Sequence, residues 1–159
     1  MRRALRERMA GVYRFEDLRV WQAAREQHRR VGELLERPRF FRDRELSGQM
    51  NDASISVVFN ISEGFLRRTD PDTLRFLRYS IASNGELKSA YYLSEDKKYI
   101  TAEESRNLIA LNESIAKMLN RWMGTLDPGR RHRPRGPKDQ GRTKDQEPRT
   151  KDQEPRTED

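Results

Sequence analysis

The sequence predicts an all-α protein, an antiparallel up-down four-helix bundle over residues 15–126. In four successive segments the apolar residues recur at spacings of three and four, which is typical of amphipathic helices. Only a few residues join one segment to the next, so consecutive helices should lie side by side and run antiparallel. No segment alternates polar and apolar residues with the period of two that indicates a strand.

The first helix should begin near Glu16 and Asp17, because negative charge stabilises a helix N-terminus. Pro38 should end this helix or lie just beyond it, since proline disfavours a helical conformation in the residue before it. The predicted apolar stripe consists of Trp21, Ala24, His28, Val31 and Leu35, and it is widened by Val20, Ala23 and Leu34, as expected for a helix that contacts more than one neighbour.

The second helix should begin near Asp43, and Gly64 is its predicted C-terminal cap because glycine adopts the left-handed conformation at little cost. Its predicted apolar stripe consists of Leu46, Met50, Ala53, Val57 and Ile61.

The third helix has the clearest start, where Thr69 is the predicted N-cap, Pro71 lies in the first turn and Asp72 supplies an early carboxylate. It should continue to about Lys97. Its predicted apolar positions are Leu74, Leu77, Ile81, Leu87 or Lys88, and Tyr91.

Thr101 and Glu104 have the spacing of a capping box and predict the start of the fourth helix, which the Asp127-Pro128-Gly129 segment should end. The predicted stripe of this helix consists of Leu108, Leu111, Ile115, Met118 and Trp122.

The net charge of +7 is carried by the two ends of the chain. Residues 1–14, a basic N-terminal extension, have five arginines and one glutamate, whereas residues 15–127 have eighteen basic and eighteen acidic groups. Residues 127–159 form a charged tail in which the heptapeptide 142–148 is repeated at 149–155. The heptapeptide contains proline and no apolar residue, so the tail is predicted to be disordered.

Composition argues against several classes of protein. The chain has no cysteine, and neither His28 nor His132 follows a glutamate at the spacing of a di-metal bundle, so no metal, cofactor or catalytic residue is predicted. No apolar run is long enough to cross a membrane, and no signal peptide is evident, so a cytoplasmic location is expected. The chain is therefore predicted not to be an enzyme.

Two arginine clusters are the candidate nucleic-acid-binding residues. The first, the Arg37 cluster, surrounds the first loop, and the second, the Arg67 cluster, surrounds the second loop and the start of the third helix. Each has phenylalanines nearby, Phe40 and Phe41 or Phe65 and Phe76, that could stack on bases or pack in the core. Arginines on a solvated face that only cover apolar surface are the alternative. The clusters comprise Arg37, Arg39, Arg42 and Arg44, and Arg67, Arg68, Arg75 and Arg78.

Several segments carry a family resemblance: F-E-D-L-R-V-W-Q-A at residues 15–23, S-V-V-F-N-I-S-E-G-F at 56–65 followed by Arg67 and Arg68, and Ser83 before Glu86. Together they resemble the four helix bundle proteins first noted as products of intervening sequences in large-subunit ribosomal RNA genes. Accessory variability proteins of diversity-generating retroelements are similar in fold. The chain departs from the family at 58–59, where Pro-Ala is usual, and at Ala82, where glycine is common.

The resemblance implies a homopentameric ring, no catalytic activity, and binding to RNA or DNA or to a reverse transcriptase. The competing hypothesis is a structural oligomer that binds protein and has no nucleic-acid contact. The sequence does not identify the partner, the genomic context or the use of the repeated tail.

Overall fold

The computed structural model describes residues 11–126, which contain four long helices and no strand. The all-α prediction is confirmed for this part of the chain; the basic extension up to residue 10 and the tail from residue 127 lie outside it. A 3-10 turn at Phe15–Asp17 precedes the helices, which are α1 (Arg19–Leu35), α2 (Pro38–Arg42), α3 (Arg44–Leu66), α4 (Asp70–Asp96) and α5 (Ala102–Leu126).

Each long helix packs against two others: α1 packs on α3 and α5, and α4 packs on α3 and α5. Helices α3 and α4 run antiparallel, because Thr73 contacts Gly64 near one end of the pair and Ser94 contacts Met50 near the other. We name the ends of the bundle by their loops. The Arg67 end contains the α3–α4 loop, and the Arg37 end contains α2 and the α4–α5 loop.

The core consists of two apolar clusters, one in each half of the bundle. The cluster at the Arg67 end contains Leu18, Val20, Ala24, Val57, Ile61, Leu77, Ile115, Leu119, Trp122, Met123 and Leu126. The cluster at the Arg37 end contains Val31, Leu34, Phe40, Leu46, Met50, Ala53, Leu87, Ala90, Tyr91, Ile100 and Leu108.

A layer of polar side chains lies between the two clusters, and every long helix contributes to it. Asn84 of α4 and Asn112 of α5 are each 2% exposed and bond reciprocally, each amide donating to the other's side-chain and backbone oxygens at 2.7–3.2 Å. The Ser56 and Ser83 hydroxyls are 2.8 Å apart across α3 and α4. Gln27 of α1 is also buried in this layer. Because buried polar groups need partners, the Asn84–Asn112 and Ser56–Ser83 pairs favour one alignment of the helices.

Three predicted helix starts are confirmed by their capping hydrogen bonds. The Asp43 carboxylate accepts from the Leu46 amide at 3.2 Å, and the Thr69 hydroxyl accepts from the Asp72 amide at 3.3 Å. In the predicted capping box, the Thr101 amide donates to the Glu104 carboxylate at 2.8 Å, and the Glu104 amide donates back to the Thr101 hydroxyl at 3.1 Å. These bonds satisfy amides that have no partner within their own helix.

Gly64 is not a C-terminal cap, and that prediction was wrong. Helix α3 continues through Gly64 to Leu66, and Arg67 is the cap residue. Gly64 is buried where α3 crosses α4, and a Cβ atom there would lie 3.4 Å from Phe76 Cβ and 3.5 Å from Leu77 Cδ2. The glycine therefore allows close approach of two helices.

The buried face of α1 is turned relative to the predicted stripe. Ala24 and Val31 are buried as expected, but Trp21 and Leu35 are only partly buried. Val20 and Leu34, which were predicted to widen the stripe, are buried as well, and so is Gln27, which was not predicted. The shift follows from packing, because α1 lies between α3 and α5 and must present a wide face to both.

Helix α2 is a short element that the sequence did not predict. Pro38 occupies its first turn, where the missing amide hydrogen costs nothing. The Phe40 ring is fully buried and meets the Tyr99 ring edge to face, with centroids 5.3 Å apart. Phe40 thereby closes the core at the Arg37 end.

Candidate nucleic-acid interface

At the Arg37 end, two of the four arginines are held by contacts within the chain. Arg37 donates to the Glu104 carboxylate at 2.8 Å, and this bond lowers the pKa of Glu104. Arg39 donates to the Lys98 carbonyl oxygen. Arg42 and Arg44 are exposed, and neither has a charged or hydrogen-bonding partner within residues 11–126. Only this second pair is free to contact a ligand without breaking an existing bond.

At the Arg67 end, two arginines surround one aromatic ring. The guanidinium carbon of Arg67 lies 4.4 Å from the centroid of the Phe76 ring, and that of Arg75 lies 5.2 Å from it. Arg67 also forms an ion pair with Glu63, one turn earlier on α3. These contacts fix the position of both cationic groups against the surface of the bundle.

Arg68 and Arg78 complete the Arg67 cluster. Both side chains are exposed, and neither has a salt-bridge or hydrogen-bond partner in the described part of the chain. Acidic residues Glu63, Asp70 and Asp72 lie in the same region of sequence, and the Asp72 carboxylate accepts from the Thr69 hydroxyl at 2.6 Å. Within residues 63–78, four arginines against three acids leave a small excess of positive charge.

The aromatic residues near the clusters differ in accessibility. Phe40 is fully buried, so its ring is not available for stacking, and Phe65 is partly buried against the core. Phe41 is exposed beside Arg42.

Tyr79 was missed by the sequence analysis. Its side chain is 52% exposed, and its ring meets that of Phe76 edge to face, with a centroid separation of 6.1 Å. Its spacing of four from Arg75 and three from Phe76 could have indicated a shared helix surface.

His28 occupies a position typical of packing and not of catalysis. Its Nδ1 atom lies 2.9 Å from the Ser54 hydroxyl, which itself donates to the Asn51 carbonyl at 2.8 Å. Because the single serine hydrogen is directed to the Asn51 carbonyl, His28 Nδ1 is the donor to the Ser54 hydroxyl. The contact joins α1 to α3.

Within residues 11–126, no three histidine or carboxylate side chains come together as a possible metal site. The same range contains no helix long and apolar enough to span a bilayer. The cytoplasmic location and the lack of enzymatic activity stay predictions.

The fold and its surface define a class: a helical-bundle protein with arginines concentrated at the two ends of the bundle. Residues 16–121 match the family model described as "23S rRNA-intervening sequence protein". The chain belongs to this family, since the match covers more than half of its 159 residues. The resemblance noted in the sequence is thereby confirmed. No curated protein matches the chain at a significant level.

Proposed function

We propose that this protein is a non-enzymatic oligomeric bundle that binds nucleic acid through the Arg67 cluster. The observation that supports the proposal best is the presence of two exposed, unpaired arginines, Arg68 and Arg78, beside two arginines held in place by Phe76. Cationic groups that need not give up an internal partner can neutralise phosphates at the least cost. Arg42 and Arg44 at the opposite end form a second, smaller contact surface.

The family description names an intervening sequence of 23S ribosomal RNA, so an insertion in a ribosomal RNA gene is the first proposed genetic context. An accessory role beside a reverse transcriptase in a diversity-generating retroelement is the alternative genetic context. Genomic neighbourhood separates the two roles: an insertion in a ribosomal RNA gene supports the first, and an adjacent reverse transcriptase with template repeats supports the second.

Charge reversal at Arg68 and Arg78 should weaken RNA binding. For the double variant Arg68→Glu/Arg78→Glu, we expect at least about a tenfold loss of affinity. The slope of log affinity against log salt concentration should also become shallower by roughly 1.5. Fluorescence anisotropy with a labelled structured RNA, measured from about 50 to 200 mM salt, gives both quantities.

The matched control is Arg106→Glu/Arg121→Glu, which makes the same charge change at exposed positions of α5. This control should retain most of the wild-type affinity. Equal losses in the two double variants would show that binding responds only to total charge. No loss in either would support the competing hypothesis of a protein-binding oligomer.

We also propose that the chain assembles as a homopentamer, as the family resemblance implies. Large apolar side chains left uncovered on the outer surfaces of α3 and α4 support assembly: Phe59 is 66% exposed, Leu66 is 64% exposed and Leu93 is 51% exposed. Apolar surface of this kind is commonly covered by another subunit. Phe59 stands where the family usually has alanine, so it enlarges this surface.

Sedimentation should give a mass five times the 18.9 kDa of one chain. The variant Phe59→Glu should shift the protein toward smaller species, because the new charge would be buried in the interface. Asn107→Glu, at an exposed position of α5, should leave the assembly unchanged. A wild-type protein that sediments as a monomer at micromolar concentration would contradict the pentamer.

A further inference from the structure

Tyr79 lies on α4 next to the arginines of the Arg67 cluster. Among residues 11–126, no other tyrosine lies on α4 beside these arginines. Arg75 precedes Tyr79 by one helical turn and Arg78 is its neighbour in sequence, and all three side chains are exposed. The aromatic surface and the cationic groups therefore occupy the same stretch of α4.

The Tyr79 ring is positioned by its neighbours. It meets the partly buried Phe76 ring at an interplanar angle of 85°, an edge-to-face arrangement that aromatic pairs prefer. Phe76 is in turn fixed by Arg67 and Arg75 and lies directly over the close crossing of α3 and α4 at Gly64. Tyr79 is about half exposed, so its ring retains accessible aromatic surface beside this fixed neighbour.

This combination matches the general requirements for binding unpaired nucleotides. Proteins that bind single strands combine cationic groups along the backbone with aromatic rings on which bases stack. A base within a duplex is already stacked on both faces. It is therefore not available to stack on a single tyrosine that is exposed on a helix surface.

We propose that Tyr79 stacks on an unpaired base while Arg68, Arg75 and Arg78 contact the adjoining phosphates, so that the preferred ligand is single-stranded nucleic acid. The inference rests on the proposed nucleic-acid binding and specifies its ligand. The acidic side chains of the region limit the electrostatic attraction, which makes the stacking contribution a larger share of the affinity.

The test compares full-length wild-type protein with Tyr79→Ala, using a labelled RNA of about twelve nucleotides, either unpaired or annealed to its complement. Tyr79→Ala should weaken binding of the single strand by about tenfold and leave binding of the duplex unchanged. Tyr79→Phe keeps the ring and should bind the single strand like wild type. A fluorescent purine analogue in the strand should change its emission on binding to wild type and not to Tyr79→Ala.

Tyr92 provides a matched control, since it is a tyrosine of α4 with 50% exposure, about 20 Å further along the helix. Tyr92→Ala should bind like wild type. If Tyr79→Ala binds the single strand as well as wild type while Arg68→Glu/Arg78→Glu still weakens it, stacking is rejected and nucleic-acid binding stands. If wild type binds neither RNA form, both proposals are rejected.

Discussion

Replacing Asn112 with leucine should lower the free energy of unfolding by about 2–3 kcal/mol. The substitution removes three of the four hydrogen bonds between the two amides and leaves the Asn84 side-chain oxygen without a partner in the core. Leucine branches at Cγ as asparagine does and is not smaller, so the cost comes from the unpaired oxygen and not from a cavity. Urea unfolding followed by circular dichroism measures the change.

The double variant Asn84→Leu/Asn112→Leu separates pairing from packing. It removes both polar groups together, so we expect it to be more stable than either single variant, which requires a coupling energy of about 3 kcal/mol. Strictly additive losses would show that the two amides do not act as a pair. We also expect the double variant to lose a constraint on helix alignment, seen as broadened resonances in nuclear magnetic resonance spectra.

Replacing Gly64 with leucine should destabilise the protein by about 3 kcal/mol, because the side chain would have to enter the contact between α3 and α4. The position of its Cβ is already 3.4 Å from Phe76 Cβ and 3.5 Å from the Thr73 carbonyl oxygen, so the remaining atoms have no space. The helices would have to separate, which would also strain the hydrogen bond from the Thr73 hydroxyl to the Gly64 carbonyl. Thermal or urea unfolding measures the loss.

Gly64→Ala is the control for backbone effects. A single Cβ at this site makes contacts near the lower limit of the ordinary range, while alanine gains about 1 kcal/mol in helix propensity over glycine. We therefore expect its stability to stay within about 1 kcal/mol of wild type. A loss with alanine as large as with leucine would indicate a requirement for glycine's backbone freedom instead of for space.

The sequence predicted those features that depend on residues close to one another in the chain. Asp43, Thr69 and Thr101 cap helices by bonding to amides three residues later, and such spacing is visible in the sequence. The apolar periodicity likewise identified four long helices, because helical geometry fixes which positions share a face.

Features that depend on distant residues could not be predicted. The sequence around Gly64 does not show whether this glycine ends a helix or allows a neighbouring helix to approach closely. Arg37 is hydrogen-bonded to Glu104, which lies 67 residues away in the sequence. The sequence alone therefore could not distinguish the paired Arg37 from the unpaired Arg42. The burial of Gln27 and Asn112 likewise depends on which helices surround them.

The polar layer separates two apolar clusters that have no member in common. When a core side chain changes volume, its direct neighbours must adjust, and here the adjustment can be completed on one side of the layer. During evolution, the half at the Arg37 end can therefore be rebuilt while the half that supports Tyr79 and the Arg67 cluster keeps its shape. In this respect the bundle is modular: one half can vary while the other preserves the surface that carries Tyr79 and the Arg67 cluster.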